Sequence, residues 1–222
     1  MRRHSRSGPL GLFSSRAEKD GYHHGRLKEA LLDAAEALIA ARGPAGLTLS
    51  EMARMSGVTS AAIYRHYADL QSLIGAVARR GFEEVGARLK GAMAAGGPGP
   101  DGLRGMGRAY LAFARERPGA YAAMFSSTIA YSDPDLSSAG QRAFEALLTG
   151  VAGVFSAYGL PQDQAFQLAL KIWSLSHGVA TLAQSGRLSP ATGCDPTTLL
   201  DEGVEALIRA ALPSPLLEDK RY

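Results

Sequence analysis

The chain has 222 residues, of which 46% are hydrophobic and 20% charged, a balance that excludes an intrinsically disordered protein and allows one or two globular domains. The net charge of +3 is unevenly divided, since residues 1–90 contain 14 Lys and Arg against nine Asp and Glu, whereas residues 91–222 contain 10 against 12. A basic surface attracts phosphate, so the first half favours nucleic acid as a partner, although an ordinary solvated surface would give the same modest excess.

The chain begins with a segment, residues 1–21, that we predict to be a disordered basic arm. Four arginines stand there among Ser and Gly, a composition typical of an unstructured tail. A basic arm could alternatively reach into a DNA minor groove. The first helix is predicted over residues 26–42, because Leu and Ala recur on one face and Gly43-Pro44 follows.

Residues 47–70, LTLSEMARMSGVTSAAIYRHYADL, carry the most informative pattern in the chain. Thr48 is predicted to cap a short helix, and Gly57 to end it, because glycine reaches positive φ without steric cost. Thr59 then caps a second helix, predicted over residues 60–67. Two short helices joined by a tight turn form a helix-turn-helix, whose second helix enters a DNA major groove.

The side chains of these two helices suit contact with DNA. Short side chains open the second helix and let its backbone approach the base edges, while Tyr64 and His66 can bond to phosphates or bases. Hydroxyl and N–H groups at the start of the first helix can bind a phosphate. The alternative for each position is an ordinary capped or packed helix residue. The candidate DNA-binding residues are Thr48, Ser50, Thr59, Ser60, Ala61, Ala62, Tyr64, Arg65 and His66.

Helical periodicity continues to the end of the chain, and no β-alternation of any length interrupts it. Further helices are predicted over residues 70–93, 103–117, 118–125, 136–158, 161–184 and from 196 to before 213, with a glycine- and proline-rich break at residues 96–100. The predicted fold is all-α. It comprises an N-terminal three-helix helix-turn-helix DNA-binding domain, residues 22–75, and a C-terminal helical domain for ligand binding and dimerisation, residues 76–222.

Two of the later helices indicate assembly. The helix over residues 161–184 is apolar nearly all round and has to be covered on both sides, by its own core and a partner subunit, or wholly within one subunit. The last helix presents a seam suited to a four-helix dimer interface, formed by Leu200, Val204, Leu207, Ile208 and Ala211.

The segments HHGRLKEALLDAAEALIAARG and LTLSEMARMSGVTSAAIYRHYADLQSLI resemble the N-terminal DNA-binding domain of the tetracycline-repressor (TetR) family. RPGAYAAMF at residues 117–125 and WSLSHG at residues 173–178 are similar to a TetR subgroup named for its W…HG signature. The resemblance implies an all-helical homodimer that binds a palindromic operator in double-stranded DNA and represses transcription until a small ligand binds the C-terminal domain. It also implies that Tyr64 and His66 contact DNA.

Aromatic residues in the second half mark where a ligand pocket would lie, although the same residues at helical spacing form ordinary core. His177 stands on an apolar face and needs a hydrogen-bond partner if it is buried, for which we expect a backbone group. The candidate pocket residues are Tyr110, Phe113, Tyr121, Met124, Phe125, Phe144, Trp173 and His177.

Other chemistry is sparse. His23-His24 lacks further ligands at metal spacing, so no metal or cofactor is predicted. Cys194 cannot form an internal disulfide, which is typical of a cytoplasmic protein, and no run has the length and hydropathy of a membrane span. We predict a sequence-specific transcriptional regulator, a repressor released by an unknown ligand, and not an enzyme. The alternatives are a non-specific architectural DNA-binding protein and, less favoured, a helical enzyme that uses His177 in the C-terminal cavity.

Overall fold

The computed structural model describes residues 15–127, 129, 133–189, 191 and 193–211, with side chains from Leu27 onward. Within these residues it contains nine α-helices and no strand, which confirms the all-α class. The helices are α1 (Ser15–Arg42), α2 (Leu49–Ser56), α3 (Ser60–Tyr64), α4 (Leu70–Gly96), α5 (Pro100–Glu116), α6 (Pro118–Met124), α7 (Pro134–Ala157), α8 (Ala165–Gln184) and α9 (Pro196–Ala211).

Helix α1 begins at Ser15, well before the predicted start at Arg26. Residues 15–21 are therefore helical where the sequence predicts a disordered arm. They lack the apolar stripe on which the prediction relied, but adding turns to an existing helix avoids the cost of nucleating one. The rest of the predicted arm, residues 1–14, lies outside the described residues.

The first three helices and the start of α4 enclose a small core. Met52 of α2 and Ile63 of α3 are fully buried, and α1 packs against both α2 and α4. Asp69 starts α4 with a reciprocal cap, since its carboxylate accepts from the Ser72 N–H at 2.7 Å and the Ser72 hydroxyl accepts from the Asp69 N–H at 3.1 Å. This pair of bonds fixes where the long helix leaves the helix-turn-helix.

Helix α3 is shorter than predicted, because it ends at Tyr64 and not at Tyr67. The N–H groups of His66 and Tyr67 both donate to the Ile63 carbonyl, at 2.9 and 3.0 Å. Bonds of this kind tighten the last turn of a helix. Arg65 and His66 consequently lie in the turn that follows α3.

The C-terminal helices pack around α4. It contacts α5, α6 and α7, while α8 and α9 pack against each other and against α5. The predicted dimer seam on α9 is wrong for three of its five members, since Leu200, Val204 and Ile208 are buried inside this subunit. They complete its own core, because the same face of α9 meets α5 and α8.

Candidate DNA-binding surface and regulatory core

The turn between α2 and α3 has the caps that the sequence predicts. The Thr48 hydroxyl accepts from the Glu51 N–H at 3.4 Å, and the Thr59 hydroxyl accepts from the Ala62 N–H at 3.3 Å. Gly57 ends α2 with φ of 64°, a left-handed conformation that favours glycine. Three local devices therefore fix the angle at which α3 leaves α2.

Helix α3 presents one face inward and the other outward. Ile63 is fully buried, whereas Tyr64 beside it is 54% exposed. Among the described residues no ion pair involves the exposed Arg65, so its guanidinium can meet an external anion. Of the nine candidate DNA-binding residues, Ala62 and His66 are half-buried, while Thr48, Ser50, Thr59, Ser60, Ala61, Tyr64 and Arg65 are exposed.

The last turn of α2 adds two exposed side chains that are not among the residues predicted from the sequence. Arg54 points largely into solvent, with an ion pair to Glu51 at 3.6 Å, and Met55 is exposed beside the turn. Glu51 is also paired with Arg42, which offsets the one acidic charge in the first turn of α2. Arg54 and Met55 do not fall on the apolar face of α2, and this part of the sequence pattern could have indicated that both side chains are exposed.

A group of four charged residues, which we call the Glu36 clamp, joins α1 to the C-terminal helices. Glu36 of α1 accepts from Arg117, before α6, at 2.7 and 2.8 Å, and from Arg80 of α4 at 2.7 Å. Arg117 also pairs with Glu84 of α4. Although burial would raise the pKa of Glu36, the hydrogen bonds and charges of Arg117 and Arg80 lower it below its ordinary value. Two cations thus hold this carboxylate ionised.

Helices α1 and α6 come unusually close beside the Glu36 clamp. A Cβ at Gly119, in the first turn of α6, would lie 2.1 Å from the carbonyl oxygen of Glu36. Real Cβ atoms do not approach backbone oxygen this closely, so only glycine fits at this contact. The clamp and Gly119 together define one separation between α1 and α6.

The sequence-predicted pocket residues converge in the second half of the chain. Tyr121 stacks on His177 with ring centroids 5.7 Å apart, and Phe125 lies 4.3 Å from the same ring. Trp173 makes edge contacts with Tyr110 and Phe144, at 5.8 and 5.7 Å. Phe113 of α5 and Met124 of α6 are fully buried. We call the six rings the aromatic cluster: Tyr110, Tyr121, Phe125, Phe144, Trp173 and His177.

Among the described residues the His177 ring bonds to tyrosine hydroxyls, and not to the backbone group that the sequence predicts. Its Nδ1 lies 2.9 Å from the Tyr121 hydroxyl and 3.4 Å from the Tyr110 hydroxyl. The Tyr121 hydroxyl also lies 3.2 Å from the Thr181 hydroxyl. Burial lowers the pKa of His177 and raises the pKa of Tyr121, so the ring is held neutral and can accept from a phenol.

Side chains leave little space beside Tyr110 and Trp173 in the aromatic cluster. The cavity that borders Tyr110 and Trp173 measures about 10 Å³, which is no more than one water molecule occupies. Tyr110 and Trp173 therefore lie in a packed region with edge-to-face contacts.

The outer face of α8 and α9 is apolar and open. Three large apolar side chains of α8, Phe166, Leu170 and Leu182, are more than two-fifths exposed. A groove of about 610 Å³ runs between the two helices, with Leu170 and Leu207 among its lining residues. At Gly178 an added Cβ would meet nothing within 4 Å.

No helix in the described part of the chain combines the length and hydropathy that a membrane crossing requires.

Comparison with known proteins gives two family matches. Residues 31–77 match the family described as bacterial regulatory proteins, tetR family, and residues 103–207 match the tetracyclin repressor-like C-terminal domain. The chain is 30% identical over 159 residues to the uncharacterized HTH-type transcriptional regulator Rv0681 of Mycobacterium tuberculosis, and the match covers 72% of this chain and 71% of that protein.

Solved structures share the fold. A protein of unknown function from Rhodococcus sp. RHA1 superposes with a TM-score of 0.75 at 27% identity, covering 86% of this chain and 98% of that one. A bacterial regulatory protein in the tetR family, also from Rhodococcus RHA1, superposes with a TM-score of 0.64 at 21% identity, covering 83% and 96%. These likenesses extend over both the helix-turn-helix and the C-terminal helices.

Proposed function

Because this chain belongs to the TetR family of bacterial DNA-binding transcriptional regulators, we propose that it is a homodimeric repressor that a small ligand releases from a palindromic operator. The proposal rests on the two faces of α3, because Ile63 on the inner face is fully buried and the adjacent Tyr64 is largely exposed. A helix anchored from beneath and capped at its start is rigid enough to read a major groove.

We assign the contacts by the chemistry of each exposed group. Ser60 and Ala61 lie at the start of α3, where short side chains allow close approach to base edges. Tyr64 and His66 supply hydrogen-bonding groups to bases or phosphates, and Arg65 pairs with phosphate. Thr48 and Ser50 stand at the N-terminus of α2, whose N–H groups and dipole favour a phosphate.

The proposed dimer forms through the outer face of α8 and α9. Large apolar side chains at Phe166, Leu170 and Leu182 would lose their exposure there, and Gly178 between them leaves room for a second helix to approach closely. A two-fold axis through this face would place two α3 helices on one side of the dimer, about 34–36 Å apart, to reach successive major grooves.

Release follows if the ligand prefers a different separation of the DNA-binding helices. The Glu36 clamp and the Gly119 contact tie α1 to α6, so a movement of α6 is transmitted to the helix-turn-helix. A ligand changes the operator affinity only by its differential affinity for the two arrangements.

The test is fluorescence anisotropy with labelled duplex from the region upstream of the protein's own gene. We expect the wild type to prefer this duplex over a random one by at least about a thousandfold. Tyr64→Phe and His66→Ala should each lower that preference, and Tyr158→Phe, a matched loss of a hydroxyl at the end of α7, should leave it unchanged. Equal, salt-sensitive binding to both duplexes would contradict sequence-specific regulation.

A further inference from the structure

A cavity of about 710 Å³, which we call the junction cavity, lies where the end of α1 meets α5, α6 and the end of α8. Cavities that hold small ligands typically measure about 300–1,000 Å³. The cavity that borders Tyr110 and Trp173 of the aromatic cluster, in contrast, measures only about 10 Å³. The apolar wall of the junction cavity includes Ile39, Ala40, Leu111, Ala122, Ala180 and Leu188.

The polar side chains at this cavity are few, and they differ in how firmly they are already bonded to other groups. The Gln184 amide donates to the Ala114 carbonyl at 2.8 Å. Asp195 accepts from the N–H and the hydroxyl of Thr198, and these bonds lower its pKa below the ordinary value. Arg115 is different, because its side chain is 79% exposed at the rim and its ion pair is a loose one to Glu116 at 3.5 Å. Among the described residues that line the cavity, Arg115 is therefore the available cation beside an apolar wall.

We propose that the junction cavity binds an elongated apolar molecule that carries a single carboxylate, with the carboxylate at Arg115 and the apolar body against α1, α6 and α8. An arginine guanidinium forms two parallel hydrogen bonds to a carboxylate, and burial of an apolar chain supplies most of the binding free energy. Asp195 at the same cavity disfavours a molecule with a second negative charge.

The position of the cavity gives binding a regulatory consequence, which rests on the proposed function. Ile39, Ala40 and Gly43 belong to the last turn of α1 and the residue after it, directly before the helix-turn-helix. A molecule lodged between these residues and Pro118 of α6 contacts both parts of the protein. It favours one separation of α1 and α6 and so changes the affinity for the operator. The operator changes the affinity for this molecule by the same factor.

The binding test uses 11-(dansylamino)undecanoate, whose fluorescence increases in apolar surroundings, and its methyl ester. Ala183→Phe and Ala40→Phe each fill part of the junction cavity from a different helix. Ala94→Phe is the matched control, because Ala94 lines a separate cavity of about 540 Å³ between α4 and α7. Arg115→Gln removes the cation, and circular dichroism with operator binding establishes that each variant is folded.

We expect the wild type to bind the carboxylate probe and both cavity-filling variants to bind it at least about tenfold more weakly, with no change in Ala94→Phe. Arg115→Gln should weaken the carboxylate about tenfold and leave the ester unaffected. No binding by the wild type, equal binding by all variants, or loss confined to Ala94→Phe would overturn the inference. So would loss on Tyr121→Phe without loss on the cavity-filling variants, since the ligand would then enter the aromatic cluster.

The regulatory consequence is measured separately, as operator affinity with and without saturating probe. We expect a decrease of about five- to 150-fold in the wild type and none in Ala183→Phe. Specific operator binding that saturating probe leaves unchanged would overturn the regulatory consequence alone. A wild type without operator preference would overturn the proposed function, whereas the probe titrations would still decide whether the cavity binds carboxylates.

Discussion

The contact between α1 and α6 leads to a sharp prediction for Gly119→Ala. The added Cβ would lie 2.1 Å from the Glu36 carbonyl oxygen and 2.9 Å from both its carbonyl carbon and its Cγ. Ordinary contacts begin at about 3.4 Å, so the two helices would have to separate by about 1 Å. Neither partner yields easily, because the oxygen belongs to the backbone and the Glu36 side chain is held by Arg117 and Arg80.

The magnitude follows from two opposing effects. Overpacking a tight contact typically costs about 1–3 kcal/mol, and replacing a helical glycine by alanine returns at most about 1 kcal/mol. We therefore expect Gly119→Ala to lower the free energy of unfolding by about 1–2 kcal/mol. Gly91→Ala is the matched control, since Gly91 lies in α4 and an added Cβ there meets nothing within 4 Å. It should raise the free energy of unfolding by about 0.5–1 kcal/mol.

Urea denaturation monitored by circular dichroism measures both changes, with operator anisotropy as a second readout. The displacement of α1 should also weaken operator binding in Gly119→Ala and leave it unchanged in Gly91→Ala. If Gly119→Ala is as stable as Gly91→Ala and binds the operator equally well, the close contact does not hold α1 in place and the reasoning is refuted.

Three further predictions concern the dimer, the buried histidine and the DNA contacts. Gly178→Arg should convert the dimer to a folded monomer in sedimentation velocity, while Gly91→Arg, equally open in this subunit, stays dimeric; a dimeric Gly178→Arg would exclude the α8 face. Burial lowers the pKa of His177 below 6.5, so the unfolded chain binds the proton more readily than the folded chain. The free energy of unfolding should therefore fall as pH drops below about 6.5, and it should fall less steeply in His177→Asn. Parallel pH profiles of the two proteins would contradict this. Arg65→Gln should reduce the salt dependence of operator binding by about one phosphate contact, and an unchanged slope would remove Arg65 from the interface.

Much of the helix-turn-helix could be predicted because its signals are local. Thr48, Gly57 and Thr59 act on the backbone within three residues, and each stands in the structure where its chemistry requires. The end of α3 could not be predicted in the same way. The turn after Tyr64 tightens around the Ile63 carbonyl, and no apolar pattern distinguishes that geometry from one more turn of α-helix.

The C-terminal helices show more clearly what a local sequence pattern cannot predict. Helical spacing identified the apolar residues of α9 but not which of them meet this subunit, since Leu200 and Val204 pack on α5 and α8 only once the fold is assembled. The Glu36 clamp joins residues 81 positions apart, Glu36 and Arg117, so no local pattern reveals it. The aromatic residues were candidates for a pocket or for ordinary core, and whether such residues leave a cavity depends on how their rings interlock.

We expect a symmetric pair of this chain to present two α3 helices to one face of DNA. The most direct measurement is hydroxyl-radical footprinting on the DNA upstream of the protein's own gene. We expect two protected blocks related by two-fold symmetry, with centres about one helical turn, or a little more, apart, and their loss in a variant with Tyr64 replaced by Ala. Uniform protection without a preferred sequence, or a single block without a symmetric partner, would contradict it.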